Sequence, residues 1–179
     1  DLETADIAIQ SALTGHLMLS TIHTNSAAGA VPRFLSMGVK PFLLAPALNS
    51  IIGHRLVRRI CDKCLEELPL TPEQSTRVKE NLTNLATTEK SKINLDDLHF
   101  YHGKGCDECN NLGYKGRVGI YEIMIMNKEI EQLILSGKIS EYTLQEIAIK
   151  NGMTTMVQDG LLKALDKLTT VEEVFRVIE

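Results

Sequence analysis

Two Cys-x2-Cys pairs, Cys61-Asp-Lys-Cys64 and Cys106-Asp-Glu-Cys109, are the residues whose type and spacing most plainly suit chemistry. A Cys-x2-Cys turn sets two thiolates on one knuckle, and two knuckles complete a tetrahedral sulfur cage that suits zinc. Lys63 and Lys104 lie nearby in sequence and favour the thiolate form. Residues 65–105 separate the pairs, a longer spacer than in the commonest zinc ribbons. A structural metal, redox chemistry and unliganded thiols are the three readings. With no secretory signal at the start, cysteine usage points to a reducing compartment and favours the metal. A closed four-sulfur site leaves no open position, so such a metal holds structure and does not catalyse.

The second constellation is Thr14-Gly-His16-Leu-Met-Leu-Ser20-Thr21-Ile-His23-Thr24-Asn25. Two histidines and several hydroxyls flank a short apolar run. In layered α/β proteins ligands sit beyond the carboxyl ends of strands. His23, Thr24 and Asn25 stand at that end of the run, and His16 at the other. The plainer alternatives are a hydrogen-bonded core or interface histidine for His16, and a helix-capping or structural polar residue for His23. No Gly-x4-Gly-Lys-Ser/Thr loop occurs anywhere in the chain, and Gly103-Lys-Gly105 is too short to be one. A third feature, the basic run from His54 to Arg59, reads either as a solvated helix face or as a contact for a phosphate or an acidic neighbour.

The elements that must position these groups follow from periodicity. Ala5, Ala8, Ile9, Ala12 and Leu13 fall at helical spacing over residues 1–14, with Gly15 as a stop. Leu17–Ile22, apolar and uncharged, reads as a strand buried on both faces. Asn25 or Ser26 can cap a helix over residues 27–37, with Gly38 as its stop and Pro32 kinking it or shifting its start. A third helix is predicted from Pro46, with Leu48, Ile51, Ile52, Leu56 and Val57 as its apolar stripe. Residues 61–116 are polar and irregular, with one short exposed helix around Leu82 and Leu85. Arg117–Met126 reads as extended. The remainder is helical: Asn127 and Ser140 cap two helices, stopped by Gly137 and by Asn151-Gly152. A third carries Leu161, Leu162, Leu165 and Leu168, and Thr170 with Glu173 forms a capping box for the last.

The 179 residues suit one medium domain or two small ones, and 44% apolar content is enough for a packed core. The net charge of −4 opposes a nucleic-acid partner, which calls for a basic excess. No run of 18 uncharged apolar residues appears, so no membrane span is predicted. The chain begins at Asp1 in a segment that already reads as helical, and is read as a piece of a longer protein.

Longer stretches carry a resemblance. Asp1-Leu-Glu-Thr-Ala, then Ala12-Leu-Thr-Gly-His-Leu-Met-Leu-Ser-Thr-Ile-His-Thr-Asn25, resemble the segment after the Walker B motif and the His box of type II secretion and type IV pilus-assembly ATPases. Arg55–Cys64 and Gly105–Glu122 resemble the two flanks of that family's tetracysteine motif. Gly152-Met-Thr-Thr-Met and Asp159-Gly-Leu fit its tail. The resemblance covers essentially the whole chain in the family's order. His54 departs from an expected glutamine and Ser26 from a frequent aspartate.

The resemblance implies an α/β fold: part of a RecA-like ATPase domain (residues 1–60), a tetracysteine zinc module (61–116) and a small, mostly helical C-terminal domain (117–179). It implies that Glu3, with Asp1, ends the Walker B segment. His16 and His23 match the His-box histidines, and His23 with Thr24 faces the nucleotide. Cys61, Cys64, Cys106 and Cys109 would hold a structural Zn2+. ATP and Mg2+ would be bound in the intact protein only, the phosphate loop lying outside this sequence, so that this chain alone is expected to be inactive. The implied partners are five further copies in a homo-hexameric ring and an inner-membrane platform protein. The ring would sit in the cytoplasm, peripheral to that membrane, touching it only indirectly. The cysteine module argues for a secretion or extension motor over a retraction motor. The competing reading is a non-enzymatic zinc-ribbon interaction module, which leaves the His box unexplained.

Overall fold

The computed structural model describes residues 1–85, 93–95 and 97–178. It has an α/β fold. In chain order the elements are α1 (Leu2–Leu13), α2 (Ala30–Ser36), α3 (Pro41–Ala47), β1 (Ser50–Ile60), β2 (Leu65–Glu67), α4 (Pro72–Thr83), β3 (Tyr101–Gly103), β4 (Tyr114–Ile125), α5 (Lys128–Ser136), α6 (Glu141–Lys150), α7 (Met156–Leu165) and α8 (Val171–Ile178). Among the described residues β1 pairs with β4 and β2 with β3. No helix among them is long and apolar enough to cross a membrane.

The chain forms two compact units, each built from two separate stretches. The first comprises Asp1–Gly53 and Glu122–Met153, the second His54–Tyr121 and Thr154–Glu179. Strands β1 and β4 therefore contribute residues to both.

The core of the first unit gathers Ala27 from the turn before α2, Val31 of α2 and Leu44 of α3 with Met124 of β4, Ile130 and Ile134 of α5, and Leu144 of α6, all fully buried. The helices that do this end where their sequence says they should. Asp1 accepts the Thr4 N–H at 2.9 Å and starts α1. Asn127 and Ser140 cap α5 and α6 through the N–H groups of Ile130 and Thr143. Gly137 closes α5 with φ 70°, a left-handed conformation that costs glycine least. Pro32 shifts the start of α2, as one of the two effects expected of it: it stands in the first turn, where its missing N–H has no helical partner to lose.

The second unit packs α4, α7 and α8 around Val78, Leu82, Leu161, Ala164 and Val174. Helix α4 thus belongs to a core and is not the exposed helix the sequence suggested. Its start was written in Thr71-Pro72-Glu73-Gln74, where Thr71 and Gln74 form a reciprocal capping box with proline at the first turn. At Glu173, fully buried, a different outcome replaces the expected capping box. Its N–H does bond Thr170 Oγ1 at 3.1 Å, but its carboxylate turns to Arg58 Nη2 at 2.5 Å and Arg176 Nε at 2.7 Å. Burial alone would raise this carboxyl, but the two guanidiniums and the Arg58 N–H outweigh it and hold Glu173 at about 2.

Two other expectations fail for one reason. Leu17–Ile22 is not a strand: Leu17 is 83% and Leu19 86% exposed, and among the described residues no strand pairs with them. A run can be buried on both faces only where neighbouring strands and covering helices exist. Conversely, Ser50–Ile60 is strand β1, not a helix beginning at Pro46, which instead lies in the last turn of α3. Exposure alternates through Ile51, Ile52, Gly53, His54, Arg55, Leu56 and Val57. The residues taken as a helical stripe serve equally at period two, and β-branched residues with a pairing partner decide for the strand.

Glu173→Ala leaves the Arg58 backbone and two guanidiniums without their partner and should cost about 3 kcal/mol in urea unfolding of the 179-residue chain. Because the folded carboxyl titrates below its ordinary value of 4.5, its stabilisation is complete above that pH and fades as pH falls toward about 2. The wild type should lose stability over that interval, and the variant should show the smaller loss.

Candidate functional site

Cys61 follows directly on β1 and Cys64 directly precedes β2, so the first knuckle is the bend between two strands. The Cys64 N–H donates to the Cys61 carbonyl at 3.2 Å and tightens it. The second knuckle is a single 3-10 turn, Asp107–Cys109, followed by Asn110 and Asn111 at φ 52° and 61°. Asparagine tolerates this left-handed backbone better than most residues. The chain is thereby folded back sharply enough for the Asn111 N–H to reach the Cys106 carbonyl at 2.9 Å.

Short-range bonding then joins the knuckles. Strands β2 and β3 pair antiparallel with Leu65 opposite Gly103, and the Lys104 N–H donates to the Cys64 carbonyl at 3.0 Å. The Cys61 N–H donates to the Gly113 carbonyl at 3.0 Å. Gly103 and Gly113 approach so closely that a Cβ on either would collide with the backbone of the other.

The four sulfurs that result lie within 4.8 Å of one another. Cys61–Cys106 and Cys64–Cys109 are 3.9 Å apart and Cys106–Cys109 3.7 Å. Four sulfurs bound tetrahedrally at about 2.3 Å would be separated by about 3.8 Å. A disulfide needs about 2.05 Å. The spacing therefore fits sulfurs around a metal ion and does not fit bonded pairs. Burial pushes the Cys64 thiol up to about 12 and also raises Cys106. At Cys109 burial acts in the same sense, but N–H groups of Cys106 and Gly113 donate to Sγ at 3.3 Å each, and with the neighbouring thiols they bring it down to about 6. Of the four, Cys109 is the sulfur whose thiolate the surrounding N–H groups favour.

The second constellation is differently disposed. Segment 15–24 has no helix or strand, and His16 and His23 are exposed. The Thr14 hydroxyl donates to the Ser11 carbonyl at 2.9 Å and stands 3.2 Å from His16 Nδ1. With its proton so committed, Thr14 Oγ1 faces His16 Nδ1 as an acceptor. The half-buried Thr24 donates its hydroxyl to the Ser26 carbonyl at 2.9 Å. Glu3 is exposed in the first turn of α1. Among the described residues no hydrogen bond or ion pair joins Glu3, His16, His23 and Thr24 to one another. The structure brings the four cysteines together and leaves these four residues apart. The capping of the next turn falls to Ser26, whose Oγ accepts the Gly29 N–H at 2.9 Å, and not to His23.

Two carboxylates that the sequence reading passed over flank this segment. Glu122 accepts the Ala27 N–H at 2.5 Å, and Glu141 accepts the Ser26 hydroxyl at 2.5 Å. Glu122 had a visible signal: it shares period-two spacing with Ile120 and Met124, which marks a charge on the buried side of β4. Glu141, at the start of α6, had none.

A model of the family described as "Type II/IV secretion system protein" matches residues 1–176. The type IV pilus assembly ATPase PilB of Thermus thermophilus is 43% identical over 180 residues, covering 100% of this chain and 19% of its own length. PilB of Myxococcus xanthus is 40% identical over 174 residues, covering 97% of this chain and 29% of its own. The type II secretion system protein E of Aeromonas hydrophila is 36% identical over 177 residues, covering 99% and 32%. The chain thus spans between 19% and 32% of the length of these relatives. A crystal structure of the pilus retraction motor PilT with bound ADP has a similar fold, with a TM-score of 0.57 at 23% identity over 98% of this chain and 36% of that one.

The close approach of Gly103 and Gly113 makes a prediction for the cysteine cluster. Titrated with Co2+, the reduced protein should develop thiolate-to-metal absorption that saturates at about one ion per chain, as four ligands to one tetrahedral ion require. Gly103→Ala should weaken that binding about 10- to 100-fold, because it spreads the backbone that orients the ligands. Equal affinity in the variant would show that the knuckles find their places without the glycine contact.

Proposed function

The chain belongs to the type II/IV secretion system protein family, and from that premise we propose that it is the C-terminal part of an ATPase that powers type II protein secretion or type IV pilus assembly. The match through 176 residues carries the reading, since it includes the histidine segment and the helical tail as well as the cysteines. A free-standing zinc-ribbon interaction module would account for the cysteines alone. In the proposed whole, six copies form a ring at the cytoplasmic face of the inner membrane and act on a platform protein embedded there. Residues 1–60 complete a RecA-like domain, and residues 61–116 and 117–179 transmit its motion.

Cys61, Cys64, Cys106 and Cys109 would hold a structural Zn2+, which supplies a fixed cross-link between the two knuckles. Its place after β1 suits a strut, and four sulfur ligands leave no position for a reacting group.

ATP hydrolysis, with Mg2+, needs positive or hydrogen-bond-donating groups where negative charge develops. Of the residues this chain offers, His23 is the best placed to donate. Thr24 has given its hydroxyl proton to the Ser26 carbonyl, and His16 directs Nδ1 to Thr14. His23 is exposed just before a turn held at Ser26 and Ala27, so its backbone is steadied while its imidazole stays accessible. It would sense the terminal phosphate, with His16 supporting the segment or reaching a neighbour. Glu3 would end the acidic segment that accompanies magnesium.

In the full-length protein His23→Ala should lower ATP turnover about 100-fold, the scale of losing one donor to developing charge, with melting temperature and ring assembly unchanged. The 179-residue chain, lacking a phosphate loop, should show no turnover and serves as the blank. Normal turnover with early melting would make His23 structural.

A further inference from the structure

The mechanism above uses no buried carboxylate, yet one lies beneath its candidate segment. Glu122 on β4 is 4% exposed, and its Oε1 accepts the Ala27 N–H at 2.5 Å. Ala27 stands four residues after His23 and is itself fully buried. The site is shaped for this contact by Gly53 on β1. A Cβ there would stand 2.9 Å from Glu122 Cγ, 3.0 Å from its Oε1 and 3.2 Å from the Ala27 nitrogen. Any side chain at position 53 would thus press on donor and acceptor at once. Nor is the turn held at one point: Ser26 donates to Glu141 Oε1 at 2.5 Å, accepts from the Gly29 N–H at 2.9 Å, and offers its carbonyl to Thr24. The contact with Glu122 ties the turn to a strand.

A carboxylate is a strong choice for this task. Its bond to a backbone N–H is charge-assisted and shorter than a neutral one, and in a buried setting it resists exchange with water. The turn begins where the exposed segment ends, so its tether sets where the preceding residues leave the protein surface.

We propose that Glu122 is a positioning residue: through the Ala27 N–H, in the space Gly53 leaves, it fixes the turn from which His23 and Thr24 project. The inference rests on the reading of His23 given above. It assigns Glu122 no contact with nucleotide.

The test uses the full-length protein. Glu122→Ala should lower kcat for ATP about 10- to 100-fold, the scale on which small misplacements act, with KM unchanged. Glu122→Gln, whose amide oxygen can still accept from Ala27, should recover most of the loss. If Glu122 acts through His23, adding Glu122→Ala to His23→Ala should cost little more. Amide hydrogen exchange over residues 24–28 should quicken at least about tenfold in Glu122→Ala without nucleotide, a readout of local opening. Should that variant fail to fold, Gly53→Ala should produce the same pattern more mildly. Loss of kcat in His23→Ala with none in Glu122→Ala overturns the inference and spares the reading of His23. Losses that add fully also overturn it, since they mark a general structural role. If His23→Ala turns over normally, the reading of His23 falls, and unchanged exchange at residues 24–28 in Glu122→Ala then removes the tether as well.

Discussion

A two-stranded ribbon is marginal in water on its own, since half its backbone groups face no partner and one face alone cannot bury enough apolar surface. Strands β1 and β4 form such a ribbon, and what keeps them is the packing that each unit lays on its own stretch. In the first unit Met124 is fully buried among Leu44, Ile130 and Leu144. In the second, Val57 and Ile120 are fully buried with Met156. Flanking bonds extend the ladder on each side, from the Met126 N–H to the Asn49 carbonyl and from the Cys61 N–H to the Gly113 carbonyl. The second of these is also a wall of the cysteine cluster. Buried Glu122 lies on β4, and Gly113 immediately precedes that strand.

The sequence made the helix ends legible because their signals are local. Asn127 and Ser140, read as caps, each bond an N–H three residues on, and Gly137 turns into the left-handed region where a stop was read; Asp1, Thr71 and Thr155 make the same bond without having been read as caps. Cysteine clustering was legible for a similar reason, because a Cys-x2-Cys turn carries most of its geometry within four residues. Strands were harder. Whether Leu17–Ile22 pairs depends on groups far away in sequence, and apolar composition says nothing about whether they are present. Ile51, Ile52, Leu56 and Val57 satisfy a helical period and a strand period alike, and only the partner β4 breaks the tie. Glu173 shows a further limit. Its spacing from Thr170 is right for a capping box, but a guanidinium offers a carboxylate more than a backbone N–H does, and Arg58 lies remote in sequence.

The two candidate sites differ in how complete they are. The cysteine cluster is assembled from residues 61–113 with its supporting bonds in place. Glu3, His16, His23 and Thr24 are not joined to one another, and what holds them is the turn at Ser26 and Ala27 on one side and α1 on the other. A site of that kind is given its form by what docks on it, whereas a metal knuckle is given its form by its own backbone.

The interleaving of the units bears on how the chain comes to be folded as it is made. Residues 1–53 leave the ribosome before residues 54–121, but Val31 and Leu44 are buried against helices that lie after residue 122. The early helices must therefore wait while residues 54–121 are synthesised, on the order of several seconds. The second unit waits longer, for Leu161 and Val174 near the chain's end. Vectorial synthesis thus keeps Val31 and Leu44 from their partners in the later helices for an interval set by translation.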